Sequence, residues 1–431
     1  MTDLRHPRAL LASAEFARAY TLASLTAVFG SFALTRLTSP RTMVTIVVML
    51  ALIGLAVLWS RREELSLLRL APSSVLAFLA FALLSVAWTT DRSESIAGWA
   101  ELIGWAVIAI TVGHVRDTLQ TVRAIGDALR WLLGLSLLLE IIVGVLLDTS
   151  LPLLGIEGDL ALGGPVQGIF GTRNMLGFVA VIALITFVIE WRSQSVTPAV
   201  GMGSIALAAF LALLSASPTV VVLAAALGVA SLALMIARHA PAARRRTVQW
   251  ALSAVVVIGG FAAFALRSQI VRVLNAGSDF SMRTEHWRAI LEFIEQKSLV
   301  GWGWVGDWPG TTFPYIYVNI IVDVDRDSAL NAFVDVALQL GTIGLALFLL
   351  LGAVALVRSW LTASARRSVV YAWTPLVLVT LAVDSMFESF TLIGIGWFAL
   401  VLCALRAGQS RSWREDIDAA HAEGAPPLPS E

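Results

Sequence analysis

Apolar residues in this chain fall in long blocks of roughly 18 to 22 residues, and that feature limits the fold more than any other. At ~1.5 Å rise per residue, such a block wound as a helix matches the hydrocarbon thickness of a bilayer. A helix pairs its own backbone N–H and C=O groups, as a bilayer requires. A soluble reading fails on composition. The chain is 58% hydrophobic and 14% charged, too few charges for a polar shell. The fold class is therefore all-α, a polytopic membrane protein of about twelve transmembrane helices with one large loop on the outer face. Helices are expected at 18–35, 42–60, 70–88, 96–113, 126–147, 173–190, 200–216, 218–237, 249–267, 332–357, 370–386 and 388–406. Only Ser215, Ala216, Ser217 and Pro218 split 200–237, as a tight hairpin or a break within the membrane.

Arginines set the orientation. Arg5 and Arg8 precede the first helix, and Arg61 and Arg62 follow the second. Arg116, Arg123 and Arg130 follow the fourth, Arg192 the sixth, and Arg238, Arg244, Arg245 and Arg246 the eighth. Arg358, Arg366 and Arg367 follow the tenth, and Arg406, Arg411 and Arg414 the twelfth. All lie on one side if both termini are cytoplasmic; Arg36 and Arg41, in a short outer turn, are the exception. The chain then divides into a cytoplasmic segment 1–17, a membrane domain 18–406 with an outer loop at 268–331, and a polar, proline-containing cytoplasmic tail 407–431 expected to be disordered. Residues 1–19 lack the apolar core of a cleavable signal. No internal repeat supports a two-halved transporter.

Net charge is zero, which gives no case for nucleic acid. Lys297 is the single lysine and Cys403 the single cysteine. A disulfide within the chain and a cysteine zinc site are thereby excluded, and neither cofactor nor metal is expected. The outer loop carries an amphipathic stretch, Met282 to Phe293, expected to lie along the membrane surface.

Three outer-side blocks carry chemistry. Gly168-Ile169-Phe170-Gly171-Thr172-Arg173-Asn174-Met175-Leu176-Gly177 opens the sixth helix. Arg173 and Asn174 put donors at a helix N-terminus, suited to a pyrophosphate, or else Arg173 snorkels to anchor the helix. Arg283-Thr284-Glu285-His286-Trp287 precedes Gly301-Trp302-Gly303-Trp304. Trp287, Trp302, Trp304 and Trp308 can stack on sugar rings, or form an interfacial belt. Asp327, Asn331, Asp335 and Gln339 recur every fourth residue, one polar stripe on a helix entering the membrane. The plain alternative has Asp327 as a helix cap and Asp335 in a structural pair. Asp384 with Glu388, and Asp91 with Arg92, are weaker charged spots that a solvated loop also explains. Glu140 and Asp335 are the deepest acids, the positions a transporter would use.

Together these blocks resemble the O-antigen ligase and exopolysaccharide polymerase superfamily, closest to its exopolysaccharide-production branch. Members commonly show Gly-hydrophobic-Phe-x-His-Lys-Asn-x-x-Gly, here Gly168 to Gly177; Arg-Thr-x-x-Trp ahead of Gly-x-Gly, here Arg283, Thr284, Trp287, Gly301 and Gly303; and Ala-His-Asn leading to Leu-Gly-x-x-Gly, here Ala329-Leu330-Asn331, then Leu340, Gly341 and Gly344. A Glu-Ser pair matches Glu388-Ser389, and Ser85 to Asp91 is also similar. The resemblance implies an all-helical membrane glycosyltransferase architecture of the C type in the bacterial inner membrane. It implies transfer of glycan from a polyprenyl-pyrophosphate carrier to a hydroxyl acceptor, either glycan or lipid, beside other polysaccharide-assembly proteins. Arg173 and Arg283 would hold the pyrophosphate, Asn174, Asn331 and Trp287 would orient substrates, and Glu388 would order the outer loops. Two family histidines are missing: Leu330 and Thr172 stand in their places. Asp335, Asp327 or His286 would then be the base, or the chain is a non-catalytic partner in polysaccharide assembly. A lipid or solute transporter is the remaining alternative.

Overall fold

A computed structural model describes residues 10–62, 70–266, 268–269 and 277–409. Arg5, His6 and Arg8, the stretch 270–276 of the outer loop, and the tail from 410 with Arg411, Arg414 and His421 lie outside the described residues.

The described chain is helical and contains no β-strand. Its helices are α1 (Ala14–Phe29), α2 (Ser31–Leu37), α3 (Pro40–Ser60), α4 (Ser73–Leu84), α5 (Arg92–Val115), α6 (Thr118–Ile141), α7 (Arg173–Arg192), α8 (Pro198–Leu214), α9 (Pro218–His239), α10 (Arg245–Ala265), α11 (Gly277–Gln296), α12 (Tyr315–Val322), α13 (Ala332–Ala365), α14 (Trp373–Asp384) and α15 (Gly394–Gln409). Every expected apolar block is helical, the first as α1 and α2 broken at Gly30. Six described helical spans are long and apolar enough to cross a membrane, and several shorter ones accompany them. Caps fix many starts. Asp91 accepts from the amides of Ser93 and Glu94, Asp117 forms a capping box with Gln120, and proline opens α3, α8 and α9. The Ser215–Pro218 break is a tight link between α8 and α9.

The arginine-bearing connections gather at one end of the bundle. Arg61 donates to Ala12 O at 2.8 Å and Arg406 to Arg116 O at 2.7 Å. Arg238 Nη2 donates to the carbonyls of Arg366, Arg367 and Ser368. One assignment needs correction. Arg123 is not a loop residue, because α6 starts at Thr118 rather than 126 and its amphipathic first half carries both Arg123 and Arg130. Arg130 pairs there with Glu190 of α7 and donates to Ser204 of α8 at 3.0 Å.

At the opposite end, α13 breaks. Gly341 has φ 65° and ψ −166°, which interrupts the helix ladder. The segment 298–303 takes over the freed backbone groups. Trp302 N donates to Leu338 O (3.0 Å) and Gly303 N to Gln339 O (2.8 Å). Thr342 N donates to Ser298 O (2.8 Å) and Ile343 N to Leu299 O (3.2 Å). An unpaired group at this depth costs several kcal/mol, on the order of the whole transfer penalty, so the staple makes the break tenable. The two backbones touch: a Cβ on Gly301 would lie 2.5 Å from Gln339 C, and one on Gly341 2.4 Å from Leu299 C. Only glycine permits that approach at positive φ.

The outer loop folds on itself. Ala289, Ile290 and Phe293 of α11 join Trp302, Val305, Trp308, Tyr315, Val318, Ala329 and Leu338 in a separate core. The expectation of a helix lying on the membrane surface is therefore corrected, because the apolar stripe of α11 packs on the loop's own aromatic residues.

Candidate functional site

The glycine-rich block is anchored from α6. Glu140 Oε1 accepts from the amides of Gln167 (3.2 Å) and Gly168 (2.8 Å), and Ser136 Oγ accepts from Ile169 N (3.3 Å). Glu140 therefore holds a loop, which accounts for its depth without a transport role. The anchored loop delivers Thr172 as N-cap of α7, its hydroxyl accepting from Met175 N at 3.1 Å. Arg173 and Asn174 occupy the first turn that follows.

Three segments far apart in sequence meet at Glu388. Asn174 Nδ2 donates to Glu388 Oε1 at 2.7 Å, and Arg283 Nη2 donates to the same oxygen at 2.8 Å. Ser217, in the link between α8 and α9, donates to Asn174 Oδ1 at 2.7 Å and so fixes which way the amide faces. Arg283 Nη1 also donates to the carbonyls of Leu330 and Phe387. Oε2 of Glu388 accepts no hydrogen bond from the described residues. Burial holds the Glu388 carboxyl above the usual range, and the Arg283 guanidinium opposes that shift. One helical turn earlier, Asp384 is fully buried and neither of its oxygens has a hydrogen-bond partner among the described residues.

Asn331 is the N-cap of α13, accepting from Phe333 N and Val334 N, while its amide donates to Met386 O at 3.0 Å. Leu330 sits at φ 51°, a left-handed conformation that costs a β- or γ-branched residue ~1–2 kcal/mol. That conformation turns its carbonyl toward Arg283, 3.2 Å away.

The expected stripe on α13 is split. The helix begins at Ala332, so Asp327 lies outside it, exposed in the loop, and only Asp335 and Gln339 stack as helical neighbours. Asp335 is 2% exposed. Its Oδ1 accepts from Trp308 Nε1 (2.8 Å) and Gln339 Nε2 (2.9 Å), and its Oδ2 from Ala329 N (3.1 Å) and Ser389 Oγ (2.8 Å). A carboxylate has about four lone-pair directions, and here each has a donor of this chain. Gln339 is as fully used, accepting from Val305 N and Gly306 N while donating to Gly306 O and Asp335.

His286 is buried, with Nε2 3.1 Å from Ser328 O, which assigns the proton to that nitrogen, and Nδ1 without a partner. Burial lowers its pKa, with Arg326 and Arg283 adding to the effect against the hydrogen bond to Ser328. The tryptophans form neither a belt nor an open platform. Trp302, Trp304 and Trp308 are buried, and half-buried Trp287 donates to Ala329 O at 2.8 Å. Their rings belong to the cores that support the site.

The structure thus brings Asn174, Arg283, Asn331 and Glu388 into one hydrogen-bonded assembly, with Arg173 adjoining on α7, while Asp327 and His286 make no hydrogen bond to Glu388. Sequence reasoning missed Ser217 as a member. Its signal was the polar interruption Ser215 to Pro218 between two apolar blocks, which marks a helix end at this face.

Residues 202–349 match the family model described as O-antigen ligase. The match takes in Ser217, Arg283, Leu330, Asn331 and Asp335; the structure adds Asn174 from before it and Glu388 from after it. It supports the resemblance to the O-antigen ligase and polymerase superfamily, and with it a role in glycan transfer or polymerisation in polysaccharide assembly. No curated protein matches the chain.

Proposed function

We propose that this chain transfers a polyprenyl-pyrophosphate-linked glycan to a hydroxyl acceptor at the outer face of the bacterial inner membrane. The observation that carries the reading is the meeting of Arg283, Asn174 and Glu388 on one carboxylate oxygen. An arginine whose present partner is an ionisable side chain can exchange it for the diphosphate of a donor, whose planar two-oxygen edge suits the guanidinium. Arg173, on the same turn as Asn174, supplies a second guanidinium beside a helix N-terminus.

The exchange prepares the chemistry. The acceptor oxygen bonds to the anomeric carbon as the bond from that carbon to the phosphate oxygen breaks. Diphosphate leaves on the polyprenyl carrier with its negative charge against the arginines. Glu388, released from Arg283, loses the influence that opposed the rise of its pKa and becomes a stronger base, and Oε2 takes the proton of the attacking hydroxyl. Asp335 is left out because its lone pairs are filled, and His286 because it is buried under Trp308. Asp327 is exposed and makes no ion pair with Arg283, which makes it a loop residue in this reading.

Complementation of a deletion strain tests this, reading lipid-linked and polymeric glycan. Arg283→Ala and Glu388→Gln should each abolish polymer and leave lipid-linked donor accumulating, while Arg283→Lys keeps a fraction. Normal polymer with both Arg283→Ala and Glu388→Gln refutes the assignment. A second reading, a non-catalytic partner in assembly, is favoured by Leu330, which puts no acid–base group where the resemblance has histidine. It predicts that Glu388→Gln leaves polymer intact although deletion of the chain alters it.

A further inference from the structure

A cavity lies at the other end of the bundle from Glu388, among the arginine-bearing turns. Its volume is about 140 Å³, room for several waters. Thr118 of α6, Ser359 and Thr362 of α13, Tyr371 just before α14, Thr374 of α14 and Arg406 of α15 line it. Arg406 is 8% exposed. It donates to Gln409 Oε1 (2.9 Å), Arg116 O (2.7 Å) and Thr121 Oγ1 (2.6 Å), and its Nε has no partner. Every one of those partners is neutral. A buried guanidinium whose hydrogen-bond partners are all neutral is costly, and an anion in the adjoining cavity would offset that cost. Asp117, the acid whose charge reaches Arg406, is engaged in capping α6 through Gln120 N at 2.7 Å.

The rest of the lining suits an oxyanion. The hydroxyls of Thr118, Tyr371 and Thr374 make no hydrogen bond among the described residues and border the cavity. Thr118 and Thr374 stand on the first turns of α6 and α14, where free amides and the helix dipole favour negative charge. Arg366 lies over the Tyr371 ring, 5.8 Å from its centre, and adds positive charge nearby.

We propose that this cavity is a binding site for a phosphate or phosphate-ester anion, held by the Arg406 guanidinium and the surrounding hydroxyls. The site is independent of the transferase reading, since it shares no residue with the Glu388 assembly. The anion can come from solution or from the headgroup of an acidic phospholipid.

The full chain, purified in neutral detergent, is titrated with inorganic phosphate at constant ionic strength against chloride, following thermal unfolding. In parallel it is reconstituted in phosphatidylcholine nanodiscs with or without phosphatidylglycerol. Saturable stabilisation by phosphate identifies a solution anion; stabilisation by phosphatidylglycerol alone identifies a headgroup. Arg406→Gln should remove either effect. Thr374→Val combined with Tyr371→Phe leaves the bonds of Arg406 intact and should weaken binding at least tenfold, which decides the matter if Arg406→Gln does not fold. The proposal is overturned if neither ligand shifts the wild type beyond the chloride control. It is equally overturned if the double variant responds like the wild type.

Discussion

Asp335→Asn separates a structural carboxylate from a catalytic one. The substitution keeps the volume and turns one acceptor oxygen into a donor. Placed toward Trp308 and Gln339, the new NH2 would face two fixed donors, and Gln339 cannot flip because Val305 N and Gly306 N hold its oxygen. It therefore turns toward Ser389 and Ala329. The Ser389 hydroxyl can rotate to accept, which leaves Ala329 N–H the one orphaned donor, costing about 1–3 kcal/mol. The two surviving bonds now end on a neutral group and each weakens by roughly 1 kcal/mol. Relief from burying a charge offsets part of this, so the total is about 3 kcal/mol. At about 2 °C per kcal/mol for a chain of this size, unfolding should come ~6 °C earlier. Ser389→Ala, which removes one donor of the four, should cost about 1 kcal/mol. Thermal unfolding in detergent, paired with polymer measured per folded molecule, reads both quantities. An Asp335→Asn protein that melts like wild type but makes no polymer would refute the reasoning and return Asp335 to the reaction.

His286, held neutral by burial, has a lowered pKa in the fold, so the unfolded chain binds more protons in acid. Its contribution is present above the ordinary histidine range and is lost as pH falls through the folded value; His286→Phe should flatten the acid limb of a stability–pH curve. Asp307 behaves oppositely: surrounding protein, then Glu101, Asp327 and Asp335, push its carboxyl up to about 8, although more than a third of the residue is exposed and solvent weakens the effect. The fold gains from its protonated form at low pH and loses that gain as pH rises toward the folded value, so Asp307→Asn should raise the melting temperature at pH ~8 and not at pH ~4. Gly301→Ala places a methyl group 2.5 Å from the backbone of Gln339 at positive φ, and should cost more than ~2 kcal/mol with a visible loss of folded yield.

Helix existence was legible because bilayer-length apolar blocks leave the backbone one way to pair. Helix ends were less so. α13 runs to Ala365 rather than 357 because Arg358 to Ala365 continues the helix outside the apolar block, and α6 starts early for the same reason. The arginine and asparagine motifs pointed to Asn174 and Arg283, and in the structure both donate to Glu388 Oε1. The saturation of Asp335 was not legible, since its donors come from residues 308, 329, 339 and 389, and spacing along one helix reveals only Gln339. The burial of the tryptophans was hidden likewise, because aromatic composition reads the same for a belt and a core.

The discontinuity at Gly341 has a mechanical consequence. The 298–303 staple grips both sides of the joint: Leu338 O and Gln339 O on the turns that carry Asp335, and Thr342 N and Ile343 N on the turns beyond it. Bilayers of different thickness ask long helices to tilt. Here both rods of α13 are bonded to the same loop segment, so a tilt that opened the glycine joint would have to break those bonds, and the joint resists it.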